Sequence, residues 1–393
     1  MTFNIKIYNN IAEERIKKLD AEHYTFDDTL APDGVLLRSE SLHDKDLPES
    51  VLAVARAGAG TNNIPIADYT EKGVIVFNTP GANANAVKEL VLGSMLLSVR
   101  PILQGITWAG TLESPNLEKT VEQNKKQFVG TELEGKTLGV IGLGAIGSRV
   151  ANDAYQIGMN VLGYDPHVSV DTAWKMSRRV KRVLSVDEIF AKADFISIHV
   201  PLLKDTKNFI STAELEKMKE TAVLLNFSRG GLVDHDAVVK AVTEGQIGKY
   251  VTDFPEESLL NVPNIVLLPH LGASTEEAEI NCAKSAAKTL KVFLETGNIL
   301  NAVNFPRTEM TFRTHHRLSI FHQNVPNMIG KISQAIADGG VNINNLTNRS
   351  HENLAYTIID LDDVSEEKAI DLLAAINLID EVIKTRLIVN PEI

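Results

Sequence analysis

The stretch GVIGLGAIG constrains the fold of this chain more than any other sequence feature. It places Gly142, Gly144 and Gly147 in G-x-G-x-x-G register, directly after a strand-like run and before the helical sequence SRVANDAYQIG. In this setting the first glycine makes a tight turn, the second lets a pyrophosphate approach the backbone, and the third allows close packing of helix on strand. The stretch therefore predicts a dinucleotide-binding unit with phosphates at a helix N-terminus.

An acidic residue ends the next predicted strand. The run NVLGYD closes at Asp165, roughly 20 residues after the glycines, where a carboxylate accepts both ribose hydroxyls of an adenosine and repels a 2′-phosphate. This favours NAD over NADP. The alternative, a simple turn followed by an exposed aspartate, is weaker because strand, loop, helix, strand and acid all fall in order.

Short apolar runs alternate with helical patterns on both sides of this unit, which is typical of a parallel sheet covered by helices. We predict an α/β protein with two Rossmann-like, doubly wound lobes. The substrate-binding lobe comprises residues 1–97 and 285–310, and the NAD-binding lobe, of about six strands, comprises residues 98–284. An Asn-, Pro- and Thr-rich stretch after the second lobe, GNILNAVNFPRTEMTFRTHH, predicts a linker.

Residues 318–393 have a different pattern of predicted strands and helices. Strand and helix patterns follow one another in the order βαββαβ, and Ser365 stands where it would open the second helix. This order predicts a third, ferredoxin-like domain, of a size that commonly pairs with a copy of itself.

Composition excludes several kinds of partner. The chain has 39 basic and 51 acidic residues, a formal net charge of −12, so nucleic acid and anionic membranes are poor partners. The single cysteine, Cys282, has no metal-ligand spacing around it and fits a reducing compartment. The N-terminus lacks a signal-peptide pattern, and the longest apolar stretch is interrupted by Gly93. We expect a cytoplasmic protein with no metal and no membrane span.

Candidate reacting residues follow three predicted strands of the NAD-binding lobe. Oxidation of a hydroxy acid needs a base for the hydroxyl proton, a cation for the oxygen and carboxylate, and an acid that tunes the base. His270 in LLPHLGAST, Arg229 in NFSRGGLVD and a glutamate of DFPEE supply these groups at one sheet edge. Glu256 and Glu257 both qualify as the acid from spacing alone, since either would raise the pKa of the histidine.

These residues, in this order, resemble the D-isomer-specific 2-hydroxyacid dehydrogenases over nearly the whole chain. The resemblance implies that Arg229 binds the substrate carboxylate and carbonyl oxygen, that Glu257 orients and charges the histidine, and that His270 shuttles the proton. Glu257 is preferred to Glu256 because Phe254 matches the family's Phe-x-x-Glu pattern. The matching stretches are RAGAGTNNI, NTPGANANAVKEL, GKTLGVIGLGAIG, HVPLLKDTKNFI, LLNFSRGGLVD and LPHLGAS.

The same resemblance implies a set of NAD contacts. At the aspartate that contacts the nicotinamide amide, this chain departs from the family by one position, with Thr252 in the usual place and Asp253 beside it. The implied cofactor-binding residues are Gly142, Gly144, Ala145, Ile146, Gly147, Asp165, Val200, Pro201, Phe227, Ser228, Asp253 and Gly272.

Residues of the first lobe point to the substrate. The resemblance makes the amides of Ala59 and Gly60 a carboxylate nest and places Asn83 close to the nicotinamide. Arg38 and Arg56 stand at strand ends, and a planar guanidinium suits phosphate recognition. Both arginines match positions of the family's D-3-phosphoglycerate dehydrogenases, which implies 3-phosphoglycerate as substrate. The alternative is two solvated surface arginines.

The last domain resembles the amino-acid-binding ACT domain of those enzymes. In HQNVPN and GGVNI, His322, Asn324 and Asn342 match the residues that hold L-serine between paired domains in serine-inhibited relatives. Histidine and asparagine bind the amino and carboxyl groups of an amino acid without a fixed charge. The simpler alternative is that Asn324 caps a helix and Asn342 a turn.

The resemblance therefore implies NAD-dependent oxidation of 3-phospho-D-glycerate to 3-phosphooxypyruvate, with feedback inhibition by L-serine. One alternative keeps the chemistry with another substrate, as a glyoxylate, hydroxypyruvate or D-lactate enzyme. Another is a non-catalytic sensor of NAD and an amino acid, which would need none of the three reacting residues. We expect a homo-oligomer, a dimer or tetramer, because the long helix around Gly93 and the small C-terminal sheet both lack partners.

Overall fold

The computed structural model describes residues 2–8, 11, 19, 22–113 and 116–390. The predicted α/β fold class is confirmed. The chain divides into two compact units: the first unit, residues 1–82 with 279–393, and the second unit, residues 83–278. The three-domain boundaries given above remain a prediction.

The first unit contains a parallel sheet of five strands, in the order β2-β1-β3-β4-β5. Its strands are short and apolar, and β3 and β5 are buried on both faces, as expected of a sheet covered by helices. The elements are β1 (Phe3–Ile7), β2 (Tyr24–Thr25), β3 (Gly34–Leu37), β4 (Ala53–Arg56), α1 (Ile66–Glu71) and β5 (Ile75–Phe77).

The second unit is built on a parallel sheet of seven strands, in the order β12-β11-β10-β9-β6-β7-β8, one strand more than expected. The strand order reverses between β6 and β9, which is the point where doubly wound folds bind ligands at the carboxyl ends of their strands. Its strands are β6 (Thr137–Ile141), β7 (Asn160–Tyr164), β8 (Lys181–Arg182), β9 (Phe195–Ile198), β10 (Val223–Asn226), β11 (Lys249–Thr252) and β12 (Ile265–Leu267).

Helices cover this second sheet and bury its two faces in separate apolar clusters. Short 3-10 turns at Lys125–Phe128, Gly230–Leu232 and Glu257–Leu259 complete the connections. The helices are α2 (Ala84–Val99), α3 (Ile102–Ala109), α4 (Leu117–Asn124), α5 (Gly147–Gln156), α6 (Val170–Lys175), α7 (Val186–Lys192), α8 (Thr212–Leu215) and α9 (His235–Thr243).

Within the described part of the chain, no single helix has the length and apolar composition to cross a bilayer. The helices α2 and α3 pass that test only as a pair, joined across a bend of 70°. Helix α2 packs Val87, Val91 and Met95 into a core cluster of the second unit.

The rest of the first unit confirms the predicted βαββαβ order. Its four-stranded antiparallel sheet runs β14-β15-β13-β16, with two helices packed on one face. The hydroxyl of Ser365 accepts the amide hydrogen of Lys368, so this serine caps the second helix as predicted. The elements are α10 (Glu276–Thr296), β13 (His316–Gln323), α11 (Met328–Asp338), β14 (Ile343–His351), β15 (Leu354–Leu361), α12 (Glu366–Asn377) and β16 (Val382–Val389).

The other face of this antiparallel sheet is also covered. Phe321 and Tyr356 belong to the same buried cluster as Phe77 of β5 and Phe293 of α10. The predicted linker contains no helix and no strand until β13 begins at its last residue, His316, and Phe305 within it is buried in that cluster. The antiparallel sheet and the first parallel sheet therefore share one hydrophobic core.

Candidate active site

The glycine-rich loop has the geometry that a dinucleotide requires. Gly142 has φ +90°, and a Cβ there would lie 2.7 Å from the carbonyl oxygen of His199. A Cβ on Gly147 would collide with the carbonyl oxygen of Gly142, whereas one on Gly144 would meet nothing within 4 Å. The first and third glycines are thus needed for close packing, and the second leaves open space where a pyrophosphate would lie.

Asp165 is fixed beside this loop. It follows β7 directly, and its Oδ2 accepts the amide hydrogen of Leu143 at 2.8 Å, while its Oδ1 accepts that of His167 at 2.7 Å. An ionised carboxylate has about four acceptor positions, so the two amides leave capacity for ribose hydroxyls. The position fits the adenosine end of NAD.

The other predicted cofactor residues lie at the carboxyl ends of the same strands. Val200 and Pro201 follow β9, and the side chain of Val200 approaches within 3.0 Å of a Cβ built on Gly142. Phe227 and Ser228 follow β10 and are buried, and the Ser228 hydroxyl donates to the carbonyl oxygen of Ile198 at 2.7 Å. Ala145 and Ile146 lie in the glycine-rich loop, with Ala145 exposed.

The side chain of Asp253 is buried, and only one of its two carboxyl oxygens has a hydrogen-bond partner among the described residues. Its side chain is 1% exposed, and Oδ2 accepts the amide hydrogen of Gly272 at 2.8 Å. Burial raises the pKa of this carboxyl, against the lowering effects of the Gly272 amide and the charges of His270 and Arg229. Its Oδ1 has no hydrogen-bond partner among the described residues.

A buried acceptor normally finds a donor, and the amide of a nicotinamide is one that fits. Thr252, where the family pattern has aspartate, instead ties two strand ends: its hydroxyl donates to the carbonyl oxygen of Asn226 at 2.8 Å. Compared with the family pattern, the carboxylate in this chain therefore lies one residue later, at Asp253. Together with the open space at Gly144, this arrangement fits NAD.

His270 lies on the loop after β12, exposed and with φ +52°. Its ring packs edge-on against the ring of Phe254, with centroids 4.9 Å apart. A Cβ on Gly230, the neighbour of Arg229, would lie 3.3 Å from the Cβ of Phe254. The loops after β10, β11 and β12 therefore meet around Phe254.

Arg229 lies in the loop after β10, three residues past the end of the strand. Its side chain is exposed, and its Nη1 donates to the carbonyl oxygen of Ser228 at 2.6 Å. The side-chain amide of Asn226 in turn donates to the carbonyl oxygen of Arg229 at 2.9 Å, which fixes the backbone of the loop. The guanidinium retains donors for a ligand, because arginine has five N–H groups.

The structure does not join either glutamate of DFPEE to His270. Among the described residues, no hydrogen bond or ion pair links Glu257 with His270, and Glu257 is exposed. Oε2 of Glu256 lies 2.7 Å from Nδ1 of His235, a residue that the sequence analysis did not single out. The charge of His270 acts instead on the carboxyl of Asp253, whose pKa it lowers.

The sequence gives little signal for His235, since it is the first residue of α9 after the capping Asp234. A helix start explains a polar residue there without any functional role. The described residues contain no group of three or more histidine, cysteine or carboxylate side chains that could hold a metal ion.

The predicted substrate residues of the first unit surround the ends of β3 and β4. Nη1 of Arg38 lies 2.7 Å from Oε1 of Glu279. Nε of Arg56 donates to the carbonyl oxygen of Arg38 at 2.9 Å, and its Nη1 donates to that of Gly60. Neither the Ala59 nor the Gly60 amide donates to a described backbone or side-chain acceptor, as a carboxylate nest requires.

Asn83 belongs to the second unit and lies directly before α2, which it does not cap with its side chain. The chain thus carries its predicted substrate residues on both units.

The three predicted effector residues do not lie together within one chain. Both ring nitrogens of buried His322 are engaged, with the Gln323 carbonyl oxygen at 2.8 Å and the Thr357 hydroxyl at 2.9 Å. Burial lowers the pKa of this imidazole. Asn324 and Asn342 are exposed at opposite ends of the antiparallel sheet.

The alternative roles of these asparagines are partly excluded. Helix α11 begins at Met328, after Asn327, so Asn324 does not cap it. Its side-chain amide donates to the carbonyl oxygen of Glu352 at 3.0 Å. The side-chain amide of Asn342 donates to Asp362 at 2.6 Å, which ties down the turn after α11.

Comparison with known proteins decides the family. Residues 93–272 match the model for the D-isomer specific 2-hydroxyacid dehydrogenase, NAD binding domain. The D-3-phosphoglycerate dehydrogenase of Haemophilus influenzae is 31% identical over 352 residues, which cover 86% of this chain and 81% of that protein. The chain belongs to the D-isomer specific 2-hydroxyacid dehydrogenase family. The predicted cofactor, NAD, is confirmed with it.

Other members of the family also match this chain in sequence and in structure. The D-3-phosphoglycerate dehydrogenase of Methanocaldococcus jannaschii is 34% identical over 350 residues, which cover 86% of this chain and 64% of that protein. The NAD-bound 3-phosphoglycerate dehydrogenase of Entamoeba histolytica has a TM-score of 0.59 at 26% identity, covering 77% of this chain and 99% of that structure. The chain spans between about half and two thirds of the length of several curated relatives that it matches.

Proposed function

We propose that this chain is an NAD-dependent D-3-phosphoglycerate dehydrogenase. It would oxidise 3-phospho-D-glycerate to 3-phosphooxypyruvate, the entry reaction of L-serine synthesis. The observation that best supports the proposal is the meeting of three loops around Phe254: its ring packs on that of His270, and its Cβ would lie 3.3 Å from a Cβ on Gly230, the residue after Arg229. Relatives with this activity in their names match most of the chain.

In this reaction His270 accepts the hydroxyl proton of the substrate, while Arg229 binds the carboxylate and polarises the oxygen that becomes a carbonyl. The glycine-rich loop and Asp165 would hold NAD, which would supply the acceptor for the hydride from C2. The charge of His270 lowers the pKa of the Asp253 carboxyl, so a positive charge on that histidine favours the ionised form of Asp253. Glu257, which the family resemblance makes the partner of His270, is exposed on the same loop as Asp253.

Arg38 and Arg56 would provide the positive charge for the substrate phosphate, and the free amides of Ala59 and Gly60 would receive its carboxylate. Asn83 would contact the substrate near the nicotinamide. A glyoxylate, hydroxypyruvate or D-lactate enzyme would need no phosphate subsite, so two arginines at the ends of β3 and β4 favour the phosphorylated acid.

The test is NADH formation by the purified protein with NAD at alkaline pH. We expect the phosphorylated acid, 3-phospho-D-glycerate, to be turned over at far higher kcat/KM than D-glycerate or D-lactate, and a loss of about 100-fold or more in His270→Gln. His351→Gln, at an exposed histidine of the antiparallel sheet, is the matched control. Equal turnover of all three acids would refute the substrate, and absence of NADH with every acid would favour a sensor of NAD and an amino acid.

We further propose feedback by L-serine at the C-terminal sheet. Since Asn342 lies at the opposite end of the sheet from His322 and Asn324, a site that uses all three would combine residues of two copies of the chain. Inhibition by L-serine in the assay above, with relief in Asn324→Ala, is the expected result. Uninhibited turnover at millimolar L-serine would contradict it.

We also propose a cytoplasmic homo-oligomer. No residue of α3 is buried, and large apolar side chains are exposed in this helix and in the chain before and after it. Light scattering should give a dimer or tetramer mass, and a monomer would contradict the proposal. The exposed apolar residues are Leu96, Ile102, Leu103, Ile106, Leu117 and Val129.

A further inference from the structure

The two arginines of the proposed phosphate subsite are held in different ways. Arg56 braces the backbone, because its guanidinium donates to the carbonyl oxygens of Arg38 and Gly60. A Cβ on Gly60 would come within 2.9 Å of its Nη1, so the turn closes tightly around this side chain. Arg38 instead pairs with a side chain, the carboxylate of Glu279 at 2.7 Å.

Glu279 belongs to the first turns of α10, and its side chain is 31% exposed, against 43% for Arg38. Cys282, one turn further along the helix, lies near the same charges. Burial raises the pKa of its thiol, and the charges of Arg38 and Arg56 lower it while that of Glu279 raises it. Among the described residues, the charges that act on this thiol are those of Arg38, Arg56 and Glu279.

We propose that Glu279 is a specificity-determining residue of the phosphate subsite. In the substrate-free protein its carboxylate is paired with the guanidinium of Arg38. The tail of a substrate binds to this guanidinium only by displacing the carboxylate of Glu279. This inference rests on the proposed function, because it takes Arg38 as the residue that receives the tail.

Competition with Glu279 weakens the binding of anionic tails, to a degree that depends on the charge of the tail. A phosphate monoester carries a charge of about −1.5 to −2 at neutral pH and forms bidentate bonds with arginine, so it replaces a carboxylate with a gain. A carboxylate tail replaces Glu279 like for like, and a hydroxyl tail does not replace it. Glu279, once displaced, repels the dianion more than the monoanion.

The variant Glu279→Gln removes the competing charge and leaves a side chain of the same shape. We expect the phosphorylated acid to bind more tightly, with a KM lowered about fivefold to tenfold. The KM for D-malate, with a carboxylate tail, should fall about twofold to threefold, within the range for a partly exposed ion pair. The KM for D-glycerate, with a hydroxyl tail, should not change, and neither should that for NAD.

A matched control is Glu277→Gln, which neutralises an exposed carboxylate two residues earlier on the same helix. It should leave the KM for each of these acids as in the unmodified protein. A fall of equal size for the three acids, an unchanged KM for the phosphorylated acid, or a rise in it for Glu279→Gln would overturn the inference, because each contradicts displacement of a competing anion.

A second measurement separates this inference from the proposed function. Calorimetric titration of the full chain with inorganic phosphate, without NAD, should give tighter binding in Glu279→Gln than in the unmodified protein or in Glu277→Gln. If no acid is oxidised but this difference is found, the proposed reaction fails and the role of Glu279 stands. If the phosphorylated acid is oxidised but phosphate binds all three proteins equally, the role of Glu279 fails.

Discussion

Breaking the buried ion pair between Arg317 and Asp360 should destabilise the first unit strongly. Both side chains are essentially inaccessible to water, and two parallel contacts join them, Nε to Oδ1 at 2.6 Å and Nη2 to Oδ2 at 3.0 Å. The remaining nitrogen, Nη1, donates to the carbonyl oxygens of Thr296, at the end of α10, and Met310. The guanidinium therefore serves a carboxylate and two backbone groups at once.

In Asp360→Ala the guanidinium stays buried without its counter-charge. Removing one partner of such a pair costs about 3–5 kcal/mol, because the desolvation of the other charge is no longer offset. The double variant Arg317→Met with Asp360→Leu buries no charge, and we expect it to recover at least half of the loss, although the carbonyl oxygens of Thr296 and Met310 then lose a donor.

Urea unfolding followed by far-ultraviolet circular dichroism measures both variants. Tryptophan fluorescence is unsuitable, because Trp108 and Trp174 both belong to the second unit. A loss below about 1 kcal/mol in Asp360→Ala would refute the reasoning, since it would mean that water reaches the guanidinium. A double variant no more stable than the single one would show that the two backbone contacts, and not the ion pair, dominate.

Three further predictions concern the second unit. Gly144→Ala should fold with an unchanged melting temperature but bind NAD at least tenfold more weakly. Gly147→Ala, whose Cβ collides with the loop backbone, should lose both stability and NAD binding. Titration calorimetry measures the binding of NAD, and thermal unfolding measures the stability. Burial lowers the pKa of His199 from 6.5 to about 4. As the pH drops through this window the unfolded chain binds the proton before the folded one, so the free energy of unfolding should fall. His199→Gln should make that fall smaller in urea unfolding, and an equal dependence of stability on pH in the two proteins would contradict this. Burial raises the pKa of Asp253, so ionisation of this carboxyl opposes folding. Asp253→Asn should therefore gain stability over the unmodified protein as the pH rises through the titration of that carboxyl, while the KM for NAD rises; a stability difference that does not change with pH would refute this.

Sequence reasoning predicted those parts of the fold and site that depend on local order. The glycine-rich turn follows from the spacing of Gly142, Gly144 and Gly147 between a strand and a helix, and the cap at Ser365 follows from a serine before a helical pattern. Strand β8 was missed, because its two residues, Lys181 and Arg182, are polar and exposed and carry no apolar pattern.

Contacts between distant parts of the chain could not be predicted. Nothing local in the sequence pairs Arg38 with Glu279, or distinguishes Glu256, which contacts His235, from Glu257, which has no described partner. These pairings depend on where a loop or a helix end comes to rest after packing. For the same reason, spacing alone did not decide whether Glu256 or Glu257 is the acid that acts on His270.

The shared core of the two sheets in the first unit has a consequence for protein engineering. Tyr356 donates to the carbonyl oxygen of Gly297, Lys384 to that of Val51, and Arg386 to those of Phe293 and Leu294, alongside the apolar packing. A chain shortened before β13 would expose Phe77 and Phe293 to water and should aggregate. The C-terminal sheet is therefore not an interchangeable module, and transplanting it from a relative would require the matching surface of β1, β5 and α10.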